Sequence, residues 1–376
     1  MHTPNLFGSF FMAGFECSTQ RRRDGKRLDL LASTGHDRLA LQDYRQIAQM
    51  GLHTIRDGLR WHLIESGLAG RYDWSSFLPM LRAGRAARVQ VIWDLCHYGW
   101  PELIDFWESD FVNRFARFAA ATARVVRDET DAVPFYSLVN EISYWAWAGD
   151  AAKFHPLAFG GGDDIKRQLV RATVAGIEAV RFVEPRARFV QIDPLIHVVG
   201  GGYHETQFAA WDMLSGRLEP VLGGGPQYLD IVGVNYYPEN QWFLNGSTIP
   251  LGHGEYRPLS ELLAEVHCRY GRPILLAETG AEGSARPAWL FYAAGEVRTA
   301  MALDVPVEGI CLYPVLDYSG FEDDRHCDVG LLGHADAAGR RPIHVAFAAE
   351  LKRQQVIFGA STGAEARPGS LLGSTT

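Results

Sequence analysis

Short apolar runs alternate with helical patterns along the whole 376-residue chain. Several of the runs are nearly continuous in apolar residues, which is typical of parallel strands that are covered on both faces. The pattern predicts eight strands, at Ser9–Glu16, Leu52–Asp57, Val89–Leu95, Pro134–Asn140, Arg188–Asp193, Leu229–Asn235, Pro273–Glu278 and Val307–Tyr313. Amphipathic segments between them predict helices, most clearly over residues 37–50, 110–126, 163–183 and 285–303.

Eight strands that are each followed by a helix indicate an α/β fold, a single (β/α)8 TIM barrel. A doubly wound sheet usually has fewer strands and a glycine-rich phosphate turn after the first one, whereas this chain has CSTQRRRDGKR there. No linker of biased composition interrupts the chain, so we predict one domain over residues 1–360. The last residues, 361–376, have the composition of a disordered tail.

Composition narrows the possible functions. Hydrophobic residues make up 47% and charged residues 21%, which gives enough apolar surface for a globular core. The net charge of −8 disfavours a nucleic-acid partner, and the lack of a long uncharged apolar run disfavours a membrane span. The five scattered cysteines form no CxxC pair and the N-terminus lacks signal-peptide features, so we expect a reducing, cytoplasmic location.

Two glutamates directly follow predicted strands, at the end of the barrel where enzymes of this fold place catalytic groups. Strand four ends in Asn140–Glu141, and strand seven ends in Glu278. A single glutamate at a strand end is more often a salt-bridge partner on the rim. Two of them at one mouth, each after an apolar run, favour acid/base or nucleophilic chemistry because burial and neighbours can tune their pKa values.

Residues on other strands converge on the same mouth. Arg56 ends strand two, His97 follows strand three, and Asn235 and Tyr237 share one face of strand six because side chains alternate along a strand. Structural interpretations exist for each residue: His97 is then a buried histidine and Tyr237 a core tyrosine. Their convergence at one end of the barrel favours a site.

Arg56 has its own structural alternative, because two acidic residues lie near it in the predicted barrel. It would then pair with Asp57 on its own strand or with Asp94 on the next. Either pairing is compatible with a position at the mouth.

Five segments resemble, in order, the motifs of glycoside hydrolase family 1, the β-glucosidase-like enzymes, or of a close relative in the same retaining (β/α)8 clan. They are YDWSSFLPMLRAGRAARVQVIWDLCHYGWP, SLVNEISYW, DIVGVNYYP, LLAETG and VEGICLYPVLDYSGFEDDRHCDVGL. The resemblance runs from about Phe11 to Leu332. It implies a retaining β-glycosidase acting on a carbohydrate substrate without metal or organic cofactor, with Glu278 as nucleophile and Glu141 as general acid/base.

The resemblance also implies roles for the residues around the two carboxylates. Arg56 and Tyr237 would hold Glu278, while Asn140 would bind the sugar 2-hydroxyl and His97 a neighbouring hydroxyl. Further substrate contacts are predicted at Asn235, Tyr313, Glu322, Trp100 and Trp145. The tryptophans that follow strand ends either stack on sugar faces or pack under surface loops; they are Trp100, Trp145, Trp147 and Trp242.

The chain departs from the family pattern at strands one and eight. Gln20, Glu16 and Arg21 compete for the place of the strand-one glutamine that reads two sugar hydroxyls. The strand-eight Trp–Ser is Tyr313–Pro314, and the Glu–Trp pair is replaced by Gly320–Phe321–Glu322. The sequence therefore supports the reaction type better than the identity of the sugar.

Several alternatives stay open at this point. The basic loop of Arg21, Arg22, Arg23, Lys26 and Arg27 either attracts an anionic, for example phosphorylated, substrate or is a solvated face, which is the commoner case. A non-catalytic carbohydrate-binding barrel and a transglycosylase use the same scaffold. A metal-dependent TIM-barrel hydrolase is disfavoured because the chain has no HxH and no HExxH motif.

Overall fold

The computed structural model of the chain describes residues 6–200, 204–321 and 324–363. Eight parallel strands close into a barrel in which each strand pairs with its neighbours in chain order. They are β1 Phe11–Gly14, β2 Thr54–Gly58, β3 Gln90–Cys96, β4 Phe135–Val139, β5 Arg188–Pro194, β6 Ile231–Asn235, β7 Ile274–Thr279 and β8 Val307–Leu312. This closed barrel confirms the predicted (β/α)8 fold, and the strand ends agree with the sequence prediction to within two residues.

Helices cover the outside of the barrel. The α-helices are Leu30–Ser33, His36–Gln49, Trp61–Ile64, Leu78–Ala87, Ser109–Glu129, Ile142–Asp150, Gly162–Val183, Ala209–Leu214, Leu259–Tyr270, Arg286–Ala302 and Val345–Gly363. Short 3₁₀ turns occur at Trp74–Ser76, His204–Phe208, Pro220–Leu222, Pro226–Tyr228 and Gly283–Ala285. Among these described segments, no helix is both long enough and apolar enough to span a bilayer.

Two small strand pairs lie outside the barrel. His197–Val199 pairs in parallel with Gln241–Phe243, and Tyr318–Ser319 pairs antiparallel with His326–Cys327. The last helix continues to Gly363, so the first three residues of the predicted tail lie in it. The rest of that tail lies outside the described residues.

Alternation along the strands divides the buried apolar residues into two groups. One fills the barrel interior and includes Met12, Ile92, Ile192 and Leu275. A larger group lies between the barrel and its helices, where Trp93, for example, packs edge-on against Phe77. Polar residues at the C-terminal ends of the strands follow the same alternation, and this decides which of them face the barrel mouth.

A buried ionic network on the outer face ties the N- and C-terminal parts of the barrel together. Asp57 points away from the barrel interior and accepts a hydrogen bond from His36 at 2.8 Å. The other ring nitrogen of His36 lies 2.7 Å from Asp43, which also accepts from Arg341 at 2.7 Å. Burial alone would lower the pKa of His36, but Asp57 and Asp43 raise it to about 9.

We predict that this network makes stability depend on pH above neutrality. Because the folded-state pKa of His36 lies above its unfolded value of 6.5, its stabilisation is complete below pH 6.5 and is lost as the pH rises through about 9. The free energy of unfolding in urea should fall by up to about 3 kcal/mol over this window. His36→Gln should remove this slope, and His53→Gln, at an exposed position, should keep it. An equal slope in wild type and His36→Gln would contradict the assignment.

Candidate active site

Arg56 is the cation at the centre of the barrel mouth. Its side chain is fully buried and points inward, whereas the adjacent Asp57 points outward to His36. Arg56 Nε and Nη2 donate to the two carboxylate oxygens of Asp94 at 3.0 and 2.6 Å. Arg56 therefore pairs with Asp94 and not with Asp57, because successive side chains of β2 point to opposite faces.

Glu278 lies in β7 beside Asn235 of β6, with which it is in register. Arg56 Nη1 donates to its Oε1 at 2.6 Å, and the hydroxyl of Tyr237 donates to its Oε2 at 2.8 Å. Both carboxylate oxygens thus receive a hydrogen bond, one of them from a buried cation.

Glu141 occupies a strained position between β4 and the helix Ile142–Asp150. Its φ is 45°, in the left-handed region, and its side chain is 9% exposed. A non-glycine residue in this region costs about 1–3 kcal/mol, and such residues cluster at functional sites. Its backbone N–H donates to the carbonyl of Ile192 at 3.0 Å, which helps to hold the turn.

The carboxyl group of Glu141 differs electrostatically from that of Glu278. Its Oε1 accepts from Asn235 Nδ2 at 2.9 Å, and its Oε2 accepts from the hydroxyl of Tyr98. Burial and the negative charge of Glu278 raise the pKa of Glu141 to about 8, although the two hydrogen bonds act in the opposite direction. Glu141 can therefore hold a proton at neutral pH while lying within electrostatic range of Glu278.

Both glutamates line one cavity of about 700 Å³ at the barrel mouth. Its volume falls in the range of small-molecule sites. Aromatic rings make up much of its wall: Tyr98, Tyr144, Trp147, Tyr237, Trp242, Tyr318 and Phe321. Acidic residues supply Glu16, Glu141, Glu239 and Glu278, and His97 is the histidine of the lining.

The predicted residues divide between the wall of the cavity and the layer beneath it. Glu141, Glu278, Tyr237 and His97 lie on the wall. Arg56, Asn140, Asn235 and Tyr313 lie beneath it, each with little or no exposed surface.

Asn140 shows what this buried layer does. Its Nδ2 donates to His97 at 2.9 Å and to the hydroxyl of Tyr98 at 3.0 Å, and its Oδ1 accepts from Arg56 at 2.7 Å. Its polar atoms are thus engaged with protein partners and support the wall. Asn235 likewise contacts Glu141, and the Tyr313 ring lies 5.0 Å from the guanidinium of Arg56. In this conformation, these residues position the wall instead of forming it.

Two predicted sugar-stacking residues lie away from the cavity. Trp100 and Trp145 are buried, and their indole N–H groups donate to the backbone carbonyls of Ile104 and His155 at 2.9 and 3.0 Å. The prediction failed here because a tryptophan just after a strand can turn back under the surface loops. Trp147 and Trp242 line the cavity instead, and Glu322 lies outside the described residues.

The three candidates for the strand-one position, Gln20, Glu16 and Arg21, differ in whether they line the cavity. Gln20 is fully buried and both polar atoms of its amide lack partners within the described structure, whereas Glu16 lines the cavity. Arg21 pairs with Glu102 at 2.7 Å and is not among the lining residues. The residue of this loop that faces the site is therefore Glu16.

Tyr98 was missed by the sequence predictions. Its φ is 64°, and this conformation turns its ring into the site beside His97. A Cβ on the next residue, Gly99, would approach the side-chain oxygen of Thr19 to 1.9 Å, so only glycine fits there. The sequence feature that could have indicated this turn is the glycine directly after Tyr98, in His97-Tyr98-Gly99.

A buried cluster next to the site has the residue types of a metal centre. Cys17 Sγ lies 3.2 Å from His97 Nδ1, which lies 3.1 Å from Asp94. Both Asp94 oxygens already accept from Arg56, and burial raises the pKa of the Cys17 thiol well above its usual range. A cation here would lie against a guanidinium and a protonated thiol, so the donor set fits a hydrogen-bond network better than a metal ion.

We predict that Tyr98→Phe raises the pKa of Glu141 by about one unit, because it removes a hydrogen bond that favours the carboxylate. The titration can be followed by carbon NMR of carboxyl-labelled glutamate, with Glu141→Gln identifying the signal. Tyr318→Phe is a matched control, since this tyrosine also lines the cavity but donates no hydrogen bond to Glu141. An unchanged or lowered value in Tyr98→Phe would show that the hydroxyl does not stabilise the charge.

Comparisons with known proteins identify solved structures that share the fold of this chain. No protein-family model matches the chain, and no curated protein sequence matches it. The structure is similar to the β-glycosidase of the hyperthermophile Thermosphaera aggregans, with a TM-score of 0.74 and 16% identity over 94% of this chain and 97% of that one. It is also similar to the family 1 β-glucosidase of Thermotoga maritima, with a TM-score of 0.72 and 12% identity over 94% and 98%. The chain therefore has the (β/α)8 barrel fold of family 1 β-glucosidases, as its motifs indicated.

Proposed function

We propose that this protein is a retaining β-glycosidase that hydrolyses β-linked glycosides, with Glu278 as nucleophile and Glu141 as general acid/base. The observation that carries the proposal is the contrast between the two carboxylates in one cavity. Arg56 and Tyr237 donate to Glu278, whereas burial and Glu278 raise the pKa of Glu141. Retaining glycosidases need such a pair, an ionised nucleophile and a protonated acid.

In the first step, an oxygen of Glu278 attacks the anomeric carbon. The bond to the leaving-group oxygen breaks, and that oxygen takes the proton of Glu141. The products are a covalent glycosyl ester on Glu278 and an ionised Glu141. Tyr98 and Asn235 already donate to Glu141, so they are placed to stabilise the carboxylate that forms.

In the second step, Glu141 acts as a base. Esterification removes the negative charge of Glu278, which is one of the causes of the raised pKa of Glu141. Glu141 therefore takes a proton from water as the water oxygen attacks the anomeric carbon, and the bond to Glu278 breaks. Two displacements at one carbon restore the original configuration.

The wall of the cavity suits a carbohydrate. Aromatic rings such as Trp147 and Trp242 offer apolar faces to the C–H faces of a sugar, and polar groups such as His97 lie in the same lining. The fold shared with β-glucosidases supports the same substrate class. Each chemical step is balanced by the two carboxylates and water, so the proposal needs no cofactor.

Azide distinguishes the two glutamate roles. With an aryl β-glycoside that has a good leaving group, Glu141→Ala should slow deglycosylation about 10²–10⁴-fold, and azide should restore turnover because it needs no base. The product should be the β-glycosyl azide. Glu278→Ala with azide should instead give the α-glycosyl azide, since azide then attacks in place of the nucleophile.

Proton NMR of the azide products checks this prediction, with circular dichroism as the control for folding. Near-wild-type turnover of Glu278→Ala without azide would show that Glu278 is not the nucleophile. An α-glycosyl azide from Glu141→Ala would show that the two roles are exchanged. A folded wild type that binds glycosides but turns none over would favour the non-catalytic barrel. Products longer than the substrate would indicate transglycosylation from the same intermediate.

A further inference from the structure

A third carboxylate, that of Glu16, faces the cavity from the loop after β1. Its side chain is 8% exposed and lines the same wall as Glu141 and Glu278. Its Oε1 lies 3.9 Å from Nε2 of His97. The proposed double displacement needs two carboxylates, so the reaction leaves Glu16 without a chemical role.

Glu16 differs from the other two glutamates in its free hydrogen-bonding capacity. Its Oε1 accepts from the backbone N–H of Ser18 at 3.0 Å. Within the described structure, Ser18 supplies the hydrogen-bond donors of this carboxyl group. Both oxygens of Glu141 and of Glu278, by contrast, already accept hydrogen bonds. A carboxylate has about four lone-pair sites, so Glu16 keeps acceptor capacity at the cavity wall, and hydroxyl groups are the donors that a sugar supplies.

The charge of the cavity points in the same direction. Its described lining contains four glutamates, of which Glu141 can hold a proton at neutral pH, and neither lysine nor arginine. Arg56 lies beneath the wall, where it forms ion pairs with Asp94 and Glu278. An anionic group on the sugar would therefore meet carboxylates without a counter-cation, which costs free energy in a partly desolvated site.

The basic loop does not supply the missing cation. Arg21 and Arg27 pair with Glu102, at 2.7 and 2.5 Å, and Lys26 pairs with Asp324 at 2.9 Å. None of them is among the residues that line the cavity. Arg22 likewise pairs with Asp24 and Asp324, so the paired cations of this loop have acidic partners outside the site.

We propose that Glu16 is the specificity-determining residue of the site: it accepts hydrogen bonds from hydroxyls of an uncharged sugar ring, and it excludes rings that carry a carboxylate or phosphate. This inference rests on the proposed function and adds its substrate class. The hydroxyl-reading role that the motifs suggested for a strand-one glutamine passes to a carboxyl group two residues beyond β1. That change replaces an amide with an acceptor that also discriminates by charge.

The test compares a neutral aryl β-glycoside with the aryl uronide of the same configuration. Glu16→Ala should lower kcat/KM for the neutral substrate about 10- to 100-fold, because it removes a hydrogen bond to a charged group. Glu16→Gln keeps an acceptor and removes the charge, so the ratio of kcat/KM for uronide over neutral substrate should rise at least about tenfold. Glu239→Gln removes the same charge from an exposed lining residue, and its effect on the ratio should be smaller.

Binding measurements separate this proposal from the proposed function. Calorimetric titration with the methyl β-glycoside and its uronide gives the same selectivity ratio without turnover. If wild type turns over the neutral substrate but neither ratio responds to Glu16→Gln, Glu16 does not determine specificity while the enzyme assignment stands. If nothing is turned over but the binding ratio shifts, the enzyme assignment fails and the role of Glu16 stands. A wild type that prefers the uronide would overturn the role of Glu16 directly.

Discussion

The buried guanidinium of Arg56 is the interaction on which the rest of the site depends. Burying a cation is costly unless its donors are paired, and Arg56 donates to Asp94, Glu278 and Asn140, which belong to or directly follow β3, β7 and β4. Its planar set of donors makes four hydrogen bonds to these partners, two of them to Asp94, whereas the ammonium of a lysine has only three donors. One side chain from β2 thereby fixes the relative positions of groups on three other strands.

This pairing creates the electrostatic contrast between the two glutamates. Arg56 forms ion pairs with Asp94 and Glu278. None of its donors contacts Glu141, whose hydrogen-bond partners are the uncharged side chains of Tyr98 and Asn235. Glu141 therefore experiences burial and the negative charge of Glu278 without a compensating cation, and its pKa rises. Two residues of the same type therefore have different hydrogen-bond partners and different charges around them.

The strands, and the presence of ionisable residues at the barrel mouth, could be predicted because they depend on patterns of local sequence. Apolar runs mark the strands, and ionisable groups in their C-terminal parts mark the barrel mouth, as Arg56 and Glu278 illustrate. The loops beyond the strands have no such periodicity. Tyr98 turns into the site through a positive φ, whereas Trp100, two residues later, turns under the loops. Whether Gln20 or Glu16 faces the cavity likewise depends on the path of the loop, which no local pattern specifies.

The proposed double displacement requires Glu278 to form a covalent bond to the sugar during turnover. The most direct test is to incubate the wild-type protein with a 2-deoxy-2-fluoro β-glycoside that carries an activated leaving group, since the fluorine destabilises both transition states and the good leaving group lets the first step proceed. Mass spectrometry of the intact protein should then show the addition of one fluoroglycosyl group, and peptide mapping should place it on Glu278. A label on Glu141 or another residue, or unlabelled protein that releases product of inverted configuration, would contradict the claim.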